Sequence, residues 1–147
     1  MIFSFMAPTS VGPILFSMER AYVRTCLGKD FRSFKKTFLS TNTLDAFDAH
    51  DVQVYYNDNN RAKGIELFGG SEFRWLDEKL LGESFADLKL FLTAHSIDFD
   101  LHSSGVDVDA YGVSFYIPDI GDKGDDSTVE SIYIDLSSTD LSPVHQF

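Results

Sequence analysis

The stretch Asp51-Val-Gln-Val-Tyr-Tyr56, followed by Asn57-Asp-Asn-Asn60 and then Gly64-Ile-Glu-Leu-Phe68, decides the fold class. β-Branched and aromatic residues alternate with polar ones on both sides of a turn whose Asn and Asp tolerate left-handed backbone. That pattern predicts an antiparallel hairpin. Working outward, residues 112–117 read as a strand halted by Pro118, residues 129–136 (VESIYIDL) alternate cleanly, and residues 97–101 and 71–76 add further strands. Ile2, Phe3, Phe5 and Met6 read as an N-terminal strand. Residues 31–38 alternate less regularly and are read as a strand, whereas residues 41–50 are read as loop.

Two segments carry helical spacing instead. Residues 17–28 (SMERAYVRTCLG) put Met18, Tyr22, Val23, Cys26 and Leu27 on one face, with Ser17 as N-cap and Gly28 as the stop. A second helix begins at Ser84, with Asp87 three residues on as a capping-box partner, and buries Phe85, Leu88, Phe91 and Leu92. It ends near Ser96, with His95 favouring the helix C-terminus. At an offset of about 61 to 67 residues the order helix, strand, strand, turn, strand repeats. The expected fold is therefore α+β: an antiparallel sheet with two helices packed on one face, in a single domain of residues 1–147. Two related helix-plus-hairpin halves, at about 11–70 and 71–136, would build it, leaving residues 137–147 as a mobile tail.

Composition narrows the function classes. Hydrophobic residues make up 44% of the chain, with fourteen Phe, which is too much apolar area for a disordered protein. No run reaches the roughly 20 apolar residues of a membrane helix, so no membrane association is expected. Cys26 is the only cysteine, which suits a reducing, cytoplasmic setting, and its spacing reads as a core thiol. The net charge of −11 is concentrated at one end: residues 98–147 hold ten Asp and one Glu against the single Lys123. Arg20, Arg24, Lys29, Arg32, Lys35 and Lys36 form a basic stretch in the other half, so the molecule reads as an electrical dipole. Direct nucleic-acid binding is not expected, because a phosphate backbone rewards net positive surface.

No motif for catalysis emerges. His50, His95, His102 and His145 are far apart, and there is no HExxH, CxxC, nucleophile elbow or phosphate-loop pattern. The acidic run 119–130 has a Gly at its sixth place and Glu130 at its twelfth, like a calcium loop. Gly121 and Lys123 stand where oxygen ligands are needed, so no metal or other cofactor is expected. Asp98 with Asp100, and Asp107 with Asp109, each put two carboxylates on one side of a strand. Such pairs can serve acid–base chemistry, but they read more simply as a solvated row of charge.

Val11-Gly-Pro-Ile-Leu-Phe-Ser-Met18, continued by Val23 and Leu27-Gly28, forms the pattern G-x-I-x-x-x-M-x-x-x-x-V-x-x-x-L-G. It is similar to the helix entry of the BamE and β-lactamase-inhibitor-protein-like group. That resemblance implies a small α/β unit, often in tandem, that acts through protein contacts. The layout VQVYY, polar turn, GIELF also resembles small bacterial proteins, some of them similar to immunity proteins of toxin systems of the contact-dependent inhibition type.

These readings converge on a non-enzymatic inhibitor or immunity protein whose acidic part masks a basic, nuclease-like toxin. Asp98, Asp100, Asp107, Asp109, Asp119, Asp122, Asp125 and Asp126 would supply the charge, and Tyr111 and Tyr116 the aromatic anchors. The alternatives are a binding or regulatory module working through residues 32–36, and a hydrolase using scattered Asp and His.

Overall fold

The computed structural model describes residues 1–6 and 10–136, so the expected mobile tail lies outside the described residues. The hairpin read from residues 51–68 forms as β6 (Val52–Tyr56) and β7 (Ala62–Phe68), paired antiparallel with a bulge between Tyr55 and Tyr56. Preceding them are β4 (Arg32–Phe34) and β5 (Leu44–Phe47). The second part of the chain supplies β10 (Asp100–His102), β11 (Gly105–Val108), β12 (Val113–Tyr116) and β13 (Ser131–Asp135). All eight lie in one sheet in the order β10-β11-β12-β13-β7-β6-β5-β4, every neighbour antiparallel. The architecture is α+β, as expected.

A second sheet has no counterpart in the sequence reading. It runs β3-β2-β1-β8-β9, from β1 (Ile2–Met6), β2 (Ser10–Val11), β3 (Ile14–Leu15), β8 (Glu72–Trp75) and β9 (Glu78–Lys79). β1 and β8 pair in parallel, Phe3 opposite Phe73 and Phe5 opposite Trp75, joining segments some seventy positions apart. Trp75 is core: its ring lies 5.6 Å from Phe91 and 6.4 Å from Phe115, which ties the small sheet to the large one.

Among the described residues the α-helices are α1 (Arg20–Leu27), α2 (Phe85–Ala94) and the short α3 (Ile120–Lys123) in the link between β12 and β13. Ser84 caps α2 as read, its hydroxyl accepting from Asp87 N at 3.1 Å, and Phe85, Leu88, Phe91 and Leu92 are buried. The first helix corrects the sequence reading. Its N-cap is Glu19, and Ser17 sits two residues earlier in left-handed backbone at φ 67°. Its buried face is Arg20, Val23 and Leu27, while Tyr22 is exposed and Cys26 half-buried. A charged side chain faces inward because Asp45 waits beneath it, on a segment read as loop. Leu44–Phe47 is instead a strand with all four residues buried, which erases the alternation that marks a half-buried strand.

Within the large sheet the two four-stranded meanders β4–β7 and β10–β13 meet at β7 and β13. Their entries are alike in detail. Ser17 N donates to Ala62 O at 2.9 Å and Ala62 N to Met18 O at 2.8 Å, before α1. Before α2, Gly82 N donates to Val129 O and Val129 N to Glu83 O, each at 2.9 Å, and Gly82, like Ser17, has positive φ. Asp45 pairs with Val54 and Phe47 with Val52 in one meander; Val106 pairs with Phe115 and Val108 with Val113 in the other. One face of the sheet is buried, and the core is one contiguous cluster from Phe3 to Leu136. The other face carries Gln53, Tyr55, Glu66, Tyr133, Ser114 and Tyr116, none of them fully buried.

Candidate functional site

Strand order puts β4 and β10 at opposite edges of the large sheet, seven spacings of about 4.8 Å apart. Arg32 on β4 and Asp100 on β10 thereby lie at opposite edges of one sheet. At the β10 edge Asp100 stands directly opposite Asp107, and His102 Nε2 lies 3.3 Å from Asp107 Oδ1. Asp107 and Tyr116 share a cleft of about 130 Å³ on the open face with Glu66, His102, Ser114 and Tyr133. Tyr116 is 49% exposed there.

The remaining predicted residues fall elsewhere. Asp98 is exposed just before β10. Asp109 and Tyr111 form a 3-10 turn between β11 and β12, where the Tyr111 ring packs edge-on against Trp75 at 5.6 Å. Asp119, Asp122, Asp125 and Asp126 belong to the link around α3, at the other end of β12. Two of these carboxylates already hold lysines: Asp125 binds Lys89 at 2.6 Å, and Asp119 lies 3.8 Å from Lys123. Asp100, Asp107 and Tyr116 are thus brought together, with Asp98 nearby in sequence, while the link aspartates form a separate group.

The basic stretch is not a free cationic patch. Asp45 is fully buried and accepts from Arg20, Arg24, Ser33 Oγ at 2.6 Å and Tyr56 Oη at 2.9 Å. Burial alone would raise its carboxyl, but the hydrogen bonds from Arg24, Arg20, Ser33 and Tyr56 outweigh it and hold the group well below the usual carboxylate range. Burial likewise raises Tyr56, helped by the Asp45 charge. Arg20 also bonds Asn60 at 2.9 Å and stacks over the Tyr56 ring. Arg32 is paired with Asp48 at 2.8 Å and Lys36 with Glu66 at 3.4 Å.

At the sheet centre Glu66 accepts from Tyr55 Oη at 2.9 Å, and the Tyr55 and Tyr133 rings meet edge-on at 5.7 Å. Burial, with the Asp135 and Glu66 charges, pushes Tyr133 up to about 12. Sequence reasoning missed this Tyr55, Glu66 and Tyr133 cluster, although all three sit at outward positions of strands it had identified. Among the described residues no group of three or more His, Cys, Asp or Glu side chains is arranged to hold a metal ion. Nor is any described helix long and apolar enough to cross a membrane. No family model matches the chain, and comparison with curated proteins and with solved structures yields no match.

Proposed function

We propose that this chain is an inhibitor or immunity protein that binds a cognate bacterial toxin of cationic, nuclease-like character and masks its active site, acting in the cytoplasm without chemistry of its own. The observation that carries the reading is Asp100 facing Asp107 in register at an exposed edge. Like charges directly opposite one another cost stability, and among the described residues the one side chain bonded to either of them is His102. A cationic partner turns that cost into affinity. Opposite fields also steer encounter and raise the association rate. Tyr116, beside Asp107 in the same cleft, offers the rigid aromatic surface typical of binding hot spots.

The same reading takes the chain as two related units, each a helix followed by a four-stranded meander, with both helices on the buried face of the sheet. The matching entry hydrogen bonds and matching strand registers support it. Tandem units of this kind fuse two small sheets into one broad surface for a partner. Co-expression with the proteins encoded beside the chain tests the function: a basic enzyme should stay bound through purification and lose its activity in the complex. Recovery of the chain with no such enzyme, or with one still fully active, contradicts it.

A further inference from the structure

The large sheet ends on β10 at one side and on β4 at the other. At β10 the backbone ladder is unfinished. His102 and Gly105 close a two-residue turn as a hydrogen-bonded pair, so Asp100 with Asp107 is the next such pair and Leu101 with Val106 is not. The Leu101 N–H and C=O therefore point away from β11, toward the place a further strand would take. All three residues of β10 are exposed. Carboxylates at an edge repel another acidic strand and admit a basic one.

Both faces of the sheet also run out at this edge. Leu101 is 61% exposed, although Val106 directly across from it is fully buried. Phe99, one pleat earlier on the same side, is half-buried against the core. The core face thus ends on uncovered apolar surface. On the open face Asp100 lies opposite Asp107, with His102 Nε2 3.3 Å from the Asp107 carboxylate. Successive side chains of a strand point to opposite faces, so an edge that is acidic on one face and apolar on the other fits a strand of alternating basic and apolar residues. The other edges do not fit one. β4 carries Arg32, with Lys35 and Lys36 following, and β3 and β9, at the ends of the small sheet, have two residues each.

We propose that β10 takes up an extended segment of the cationic partner as a further strand of the large sheet, with Lys or Arg of that segment on the open face against Asp100 and Asp107 and apolar residues between them against Leu101 and Phe99. The proposal names how the partner is held and rests on the inhibitor reading for the partner's charge. The Leu101 N–H and C=O supply main-chain hydrogen bonds, which give affinity, and the alternation of the two faces supplies specificity. A basic side chain opposite Asp100 stands at the cross-strand distance of about 5 Å between Cβ atoms, where opposite charges attract. The repulsion between Asp100 and Asp107 is relieved in the same step.

Amide hydrogen exchange of the full chain, read by NMR, tests the proposal with two end-blocked peptides of equal composition, one with lysine and valine alternating and the other with its lysines gathered at one end. At saturation the alternating peptide should slow exchange at the Leu101 amide at least about tenfold, and its isomer should bind more weakly by a similar factor. Leu101→Pro removes that amide at an edge position where proline is tolerated, and should abolish binding of the alternating peptide with little change in melting temperature. Leu101→Ala keeps the amide and should retain most of the binding. An alternating peptide that fails to bind or binds no better than its isomer, a Leu101 amide unchanged at saturation, or a Leu101→Pro chain that binds like the wild type would overturn strand addition. Should Leu101→Pro fail to fold, the exchange result on the wild type decides alone. A partner that meets this edge through side chains only still associates at a salt-dependent rate, so strand addition can fail while the inhibitor reading stands.

Discussion

Glu66 of β7 stands directly opposite Tyr133 of β13, and the pairing on either side of them reads the same in both directions. Phe68 faces Ser131 on one side as Gly64 faces Asp135 on the other, so a local twofold runs through the middle of the large sheet. The two four-stranded meanders can therefore be compared position by position.

Asp45→Ala removes the carboxylate bonded to buried Arg20 and should cost about 3–5 kcal/mol, measured by denaturant unfolding. At the corresponding places, α2 and the β10–β13 meander with the residue after β12 have Phe85, Val106 and Ile117, all buried. The triple change Arg20→Phe, Asp45→Val and Tyr56→Ile should therefore be far milder than Asp45→Ala alone, because a packed apolar set replaces a satisfied ionic one.

Acid should act through the same residue. The folded carboxyl lies below its unfolded value, so the unfolded chain takes up the proton first as pH falls. The contribution of Asp45 is complete above the unfolded value of about 3.9 and declines as pH drops below it toward the folded value. Unfolding free energy measured against pH should fall less steeply in that acidic window for Asp45→Asn than for the wild type.

Gly105→Ala should be strongly destabilising, because a methyl group there falls on the carbonyl oxygen of Phe115 in the adjacent strand. Backbone cannot swing aside as a side chain can, so the β11 and β12 pairing must open locally. Faster hydrogen exchange at Val106 and Phe115 than at Val54 and Ile65 would report it.

Ser84→Ala removes the hydroxyl that accepts from Asp87 N and should cost about 1 kcal/mol in thermal or denaturant unfolding. Ser17→Ala should lose no cap of that kind, since Glu19, not Ser17, occupies the N-cap of α1.

The sequence made some of this fold legible and hid the rest for identifiable reasons. Val52, Val54 and Tyr56 alternate with Gln53 and Tyr55, and that period marks a strand with one wet face. Leu44–Phe47 has no wet face, so nothing separated it from a loop except its apolar content around one Asp. Arg20 was legible as a cation but not as a buried one, because its partner lies twenty-five residues away. The parallel pairing of β1 with β8 depends on tertiary contact alone. At the candidate site, Asp100 and Asp107 could be placed on strands, yet their face-to-face register follows from a turn of two residues. The link aspartates follow β12 directly, and the pairing of Asp125 with Lys89 of α2 could not be read from the sequence.

Whether the β10-edge carboxylates steer binding is decided by the association rate of the chain with its co-purified partner, followed by stopped flow across ionic strength. A rate that falls steeply as salt rises, and that loses much of this dependence in the Asp100→Asn, Asp107→Asn variant, is the predicted result. A rate indifferent to salt, or unchanged by removing both carboxylates, would contradict a masking role for this edge.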